Sequence, residues 1–184
     1  MAKVVVQPAF EPVTLAEAKL HTRLDHELED GLIQTWITSG RIMAENYQNR
    51  AYLEQTIEVV RDRFPPRGFS LPKPPLISLE SFKCYDEEGD EHELPIGDFH
   101  IDTHSEPGRV FFDGEYPSII KLRPINGVVI RFKAGNSTAE EVPRHIKDAI
   151  LAYVTYRYYN REAEGDNPPP QFFWLLAFDR VVPA

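Results

Sequence analysis

Apolar residues recur with a helical period at both ends of this chain and with a strand-like period in its middle. Near the start, Glu11-Pro12-Val13-Thr14-Leu15-Ala16-Glu17-Ala18-Lys19-Leu20 predicts a capped helix. Thr14 and Glu17 have capping-box spacing, each side chain satisfying an orphan amide at the helix start, and Val13 is placed to staple onto Ala18. Asp25 is expected to cap a second helix over about His26 to Tyr47. Glu27, Glu29 and Asp30 fall in its first turn, where the helix dipole favours negative charge, and Asn49 offers a left-handed stop. Around this helix Leu28, Leu32, Ile33, Trp36, Ile37, Gly40, Met43, Ala44 and Tyr47 cover about half the circumference. Gln34, Thr38, Arg41 and Glu45 form the narrower polar strip. So broad a stripe has two readings: a helix central to its own core, or one whose edge, Trp36 included, packs on a neighbouring subunit.

The period then changes. Leu53 to Arg61, Leu76 to Tyr85, Glu93 to Asp102, Arg109 to Phe112 and Val128 to Lys133 predict strands, with Glu87-Glu88-Gly89-Asp90 as a turn. Prolines at 65, 66, 72, 74 and 75 punctuate the first of these gaps. A third helix is expected from Pro143, a residue suited to a first helical turn. From Ile146 to Tyr159 it is apolar or aromatic on almost every side, with Tyr153 and Tyr156 as candidate contact residues where rings meet polar groups. After it, Asp166-Asn167-Pro168-Pro169-Pro170 predicts a stiff spacer. Phe172, Phe173, Trp174, Leu175, Leu176 and Phe178 follow, then Asp179 and Arg180. This cluster either folds back onto its own helices or docks on a partner, as aromatic and arginine anchors do at interfaces.

The order predicts an α+β fold within a single domain over residues 1–184. A mainly helical scaffold, about 12–50 and 143–180 with a short terminal helix, carries an inserted antiparallel sheet region over about 53–135. The chain of 184 residues is long enough for one substantial core. Its lone Cys84 excludes an internal disulfide framework and is expected to act as a small apolar residue. No secretory h-region or membrane-length apolar run is present, so an intracellular globular protein that does not engage membranes is expected. The 29 acidic residues outnumber 20 basic ones, giving a formal charge of −9, which argues against a DNA-binding surface.

Candidate chemistry is sparse. His100, Asp102 and His104 alternate, so an extended strand would place them on one face as zinc ligands, with His92 or Asp98 near in sequence. That pattern supports an alternative reading as a small metal-dependent hydrolase, but Thr103-His104-Ser105-Glu106-Pro107-Gly108 predicts a turn that breaks the alignment. Asp86, Glu87, Glu88, Asp90, Glu91 and Glu93 surround a glycine without the ligand spacing of a calcium loop, and read as a charged hairpin tip. The sequence has no Gly-rich phosphate loop, nucleophile elbow or His-Glu-x-x-His. No enzyme, metal or cofactor is expected.

Several segments together resemble one family. Pro12-Val13-Thr14-Leu15-Ala16-Glu17-Ala18-Lys19 is followed by Glu29-Asp30-Gly31-Leu32-Ile33, Ala44-Glu45-Asn46-Tyr47 and Arg50-Ala51-Tyr52-Leu53-Glu54-Gln55-Thr56. Leu71-Pro72-Lys73-Pro74-Pro75-Leu76 leads proline-rich into a strand. Val142-Pro143-Arg144-His145-Ile146-Lys147-Asp148-Ala149-Ile150-Leu151 opens the last long helix, and Tyr159-Asn160-Arg161-Glu162 closes it. In order and spacing, from about residue 8 to 181, these resemble the head–tail connector (adaptor, head-completion) proteins of long-tailed phages and prophages. Gln48-Asn49-Arg50 departs from the family, which commonly has glycine before the arginine; asparagine can also adopt the left-handed conformation there. The resemblance implies a structural virion protein that forms a homo-oligomeric, dodecameric ring beneath the portal. It implies that the ring extends the DNA channel without specific DNA binding and docks the next neck or tail protein, with contacts from the terminal segment. It places the protein in the virion neck, and in the host cytoplasm during assembly. A stopper or tail-completion protein is the alternative neck component.

Overall fold

The computed structural model describes residues 2–117, 120–161 and 167–181. Asp166 of the expected spacer and Glu162 of the expected helix close lie outside them. The fold is α+β, and the chain divides into two compact units, residues 1–8 with 54–135 and residues 9–53 with 136–184.

The helical unit holds α1 (Leu15–Thr22), α2 (Asp30–Gln48), α3 (Arg144–Tyr159) and α4 (Pro170–Leu176). The Thr14–Glu17 capping box forms as its spacing predicts. α1 ends at Arg23, whose φ of 61° is left-handed, and the amides of Arg23 and Leu24 return to the last turn. This stop draws Leu24 onto the core and leaves Leu28 exposed. Asp25 therefore caps nothing. α2 begins four residues later than expected, at Asp30, behind Glu29 and pinned by a 2.8 Å Lys19–Asp30 ion pair. It ends at Asn49 in the left-handed conformation, φ 56°.

α3 packs against all three other helices. Ile33, Trp36, Ile37 and Ala44 of α2 meet Ile146, Ile150, Tyr153 and Val154 of α3 within one buried cluster. Gly40 permits the approach, since a Cβ there would stand 3.0 Å from the Tyr153 ring. The α2 stripe is narrower and rotated from expectation: Leu28 and Leu32 are exposed, whereas Arg41 and Glu45 of the expected polar strip are buried.

The β unit has a five-stranded antiparallel sheet in the order β1 (Ala2–Val6), β2 (Gln55–Arg61), β8 (Val128–Ala134), β4 (Leu76–Tyr85), β5 (Glu91–Leu94). A three-stranded sheet is ordered β3 (Gly68–Ser70), β7 (Arg109–Phe112), β6 (Phe99–Asp102). The strand expected over Glu93 to Asp102 is broken. Pro95 begins a 3-10 turn over Ile96–Asp98, and the two halves join different sheets. Between them Phe82, Phe99, Phe112 and Tyr116 stack with ring centroids 4.8 to 6.0 Å apart. The β4–β5 turn sets Gly89 at φ +91°, as the Glu87–Asp90 pattern predicts. Cys84 is buried in β4, and burial pushes its thiol pKa upward.

Candidate assembly surfaces

The terminal segment is held by its own unit. Pro169 and Pro170 set the start of α4, where a missing amide costs nothing. Phe172 and Leu176, one turn apart, are fully buried with Tyr153, and Leu175 packs at the edge of the same cluster. The end of α2 then fastens the segment through polar contacts. The Gln48 side-chain amide donates to the Leu176 carbonyl at 2.8 Å, Arg50 Nε donates to the Asp179 carbonyl at 2.8 Å, and the Val181 amide donates to the Gln48 carbonyl at 2.9 Å. Asp179 also meets His145 Nε2 at 2.9 Å.

Beneath this lies a buried polar network. Arg41 donates from Nε to Glu11 at 2.7 Å and from Nη1 to Glu45 at 2.9 Å. Glu11 also accepts from Thr38 Oγ1, and Glu45 accepts from the Tyr52 amide. The Tyr52 hydroxyl donates to Gln48 at 2.7 Å. Burial raises the phenol pKa well above its usual range, with the Glu45 charge adding to the effect. A buried charge persists only when so surrounded.

The candidate contact residues therefore separate into two sets. Trp36, Tyr153, Phe172 and Leu176 are interior side chains, and Tyr156 and Leu175 are half-buried. Trp174 and Phe178 are 72% and 83% exposed, Phe173 is partly exposed with its edge toward Tyr47, and Arg180 lies over the Tyr47 ring. Leu20, Leu28 and Leu32, which the expected contact set lacks, are exposed near the α1–α2 connection. Leu28 and Leu32 belong to the expected apolar stripe, whose excess breadth was their signal, whereas Leu20 at the end of the first helix had none.

The His100, Asp102, His104 pattern becomes a braced turn. Asp102 accepts from the Ser105 hydroxyl, from Arg109 Nε and Nη2, and from the His104 and Ser105 amides. The Ser105 hydroxyl first, then the Arg109 guanidinium, hold its pKa far below the usual carboxylate range. His100 faces Asp113 at 3.6 Å. Among the described residues no three His, Cys, Asp or Glu side chains gather to hold a metal ion, so the hydrolase alternative loses its constellation. The acidic stretch is a hairpin tip. Asp86 accepts from the Asp90 amide and pairs with His92 at 2.7 Å, while Glu91 meets Lys83 at 2.6 Å. Among the described residues no helix is long and apolar enough to cross a membrane.

The fold itself has close counterparts. A chain from the neck of an empty gene transfer agent particle, computed with sixfold symmetry, superposes with a TM-score of 0.79 at 18% identity. A chain from the virion of a native gene transfer agent particle gives 0.78 at 19% identity. One from the neck of the native particle, computed with twelvefold symmetry, gives 0.75 at 18% identity. Each match covers 100% of this chain and 97% of the other. The chain shares their fold from end to end. No protein-family model matches it, and no curated protein matches it in sequence.

Proposed function

We propose that this chain is a structural component of a phage-like neck, a head–tail connector whose copies form a ring beneath the portal. The observation that carries the proposal is the full-length fold correspondence to chains of gene transfer agent necks computed with sixfold and twelvefold symmetry. The collinear sequence resemblance to connector proteins points the same way. In this reading the protein is one domain of two units and acts by surface complementarity, without turnover or cofactor. Its partners are further copies of itself, the portal, and the next neck or tail protein; its place is the virion neck, after assembly in the host cytoplasm. In a head-to-tail ring two different surfaces meet at each interface. Native mass spectrometry of the purified protein, with and without a portal ring, tests the proposal. A chain that stays monomeric in both conditions refutes it.

Trp174 and Phe178 are the proposed anchors, being large, apolar and exposed on a segment fixed from behind. Replacing both with Ala is expected to leave thermal stability within about 0.5 kcal/mol. Association with the portal or neighbouring copies should weaken about 30-fold or more, the scale of a hot spot of about 2 kcal/mol. Unchanged association would remove these two side chains from the interface.

The charge of −9 per subunit implies an acidic ring that repels phosphates and lets duplex pass without retention. The protein is expected to show no measurable affinity for duplex DNA even at low salt. Binding at low ionic strength that fades steeply with added salt would contradict this by revealing a gathered basic patch.

A further inference from the structure

The two edges of the five-stranded sheet differ. At one end, β5 displays Glu91 and Glu93 on the outer face; at the other, β1 displays Lys3 and the exposed valines Val5 and Val6. Among the described residues no strand pairs the outer side of either edge, and the two carry opposite charge, carboxylates on β5 and a lysine on β1.

The outer face between these edges carries alternating charge. Lys3 of β1 stands opposite Glu58 of β2, and Glu58 pairs with Arg131 of β8 at 2.9 Å. Arg131 and Lys133 also feel Glu80 of β4. Lys83 of β4 pairs with Glu91 of β5 and stands opposite Glu93. The series thus ends in a cation at β1 and a carboxylate at β5. Neither Lys3 nor Glu93 makes an ion pair among the described residues, although each lies on the same exposed face.

Strand direction fits the same geometry. All four pairings from β1 through β2, β8 and β4 to β5 are antiparallel, so the two edge strands run the same way. A second copy set beside the first in the same orientation brings its β5 alongside β1 as a parallel pair. The strands match in length, five residues against four. The shared face would then place Glu93 next to Lys3 and extend the charge alternation across the joint.

We propose that the β1 edge is the docking site for the β5 edge of a second copy, so that neighbouring subunits share a continuous sheet. The proposal rests on the ring reading, because β1-to-β5 pairing is a head-to-tail contact that leaves one edge open at each end until the assembly closes. Backbone hydrogen bonds supply affinity, as in strand addition generally, and the Lys3–Glu93 pair helps fix the register.

The test uses the full chain carrying K3C and E93C together, oxidised and resolved without reductant, with Cys84 buried and not competing. The double variant is expected to give a covalent ladder beyond the dimer, while neither single variant passes the dimer. Separately, K3E or E93K should each raise the assembly midpoint concentration about fivefold, and K3E with E93K together should restore it. A ring seen by native mass spectrometry that gives no ladder and ignores both charge reversals overturns the edge pairing while leaving the ring intact. A chain that stays monomeric alone and with the portal overturns both.

Discussion

Ending the chain after Pro170 is expected to destabilise the helical unit and not merely release a docking arm. Residues 171–184 include Phe172 and Leu176, both fully buried against Tyr153 and the α2–α3 cluster. Removing a buried Phe costs about 3–5 kcal/mol and a buried Leu about 2–5 kcal/mol. Even with partial collapse, their joint loss is comparable to the whole stability of a typical domain, about 5–15 kcal/mol. Truncation also removes the Leu176 and Asp179 carbonyls that accept from Gln48 and Arg50 at the end of α2. The expected result is a large fall in urea midpoint, or loss of folded helix by circular dichroism. A truncated chain with an unchanged midpoint would show that α4 contributes little to its unit. The Trp174 and Phe178 substitutions separate the roles, because those side chains point away from the core that Phe172 and Leu176 fill.

The parts of this fold legible in the sequence are those set by near neighbours. The Thr14–Glu17 box, the Asn49 stop and the Gly89 turn each need only a few residues to specify them. The start of α2 was not legible, because it depends on which of Leu24 and Leu28 the core admits after Arg23 reverses the chain. Nor was the burial of Arg41 and Glu45: their charges suggest solvent until Glu11, thirty residues earlier in the case of Arg41, is brought alongside. β1 could have been read from Val4-Val5-Val6, a β-branched run, but five residues before a helical stretch give a weak periodic signal. β3, at three residues, gives less. The contact surfaces were only partly legible for the same reason. An aromatic cluster announces that burial is needed, but helix phase decides that Phe172 and Leu176 face inward while Trp174 faces out.

Arg41→Met tests that hidden network and is expected to cost about 3–5 kcal/mol. The guanidinium is 2% exposed and stands between two carboxylates whose side chains are 14% and 6% exposed. Met keeps much of the apolar stem but removes the cation, leaving Glu11 and Glu45 with weakened compensation in a poorly solvated place. The Thr38 hydroxyl that donates to Glu11 and the Tyr52 amide that donates to Glu45 are neutral groups and do not replace the lost cation. Disturbing Glu45 also loosens the Tyr52–Gln48–Leu176 chain that fastens α4, so the effect should reach the terminal segment. Two controls isolate the cause. Arg41→Lys retains a cation but cannot donate to both carboxylates in the same fork, and should fall between wild type and Met. Combining Arg41→Met with Glu11→Gln and Glu45→Gln removes the stranded charges and should recover a substantial part of the loss, since the three groups act as one unit. Chemical denaturation of the four proteins measures this directly. If the triple variant is less stable than Arg41→Met by the sum of separate costs, the three side chains contribute independently and the network argument fails.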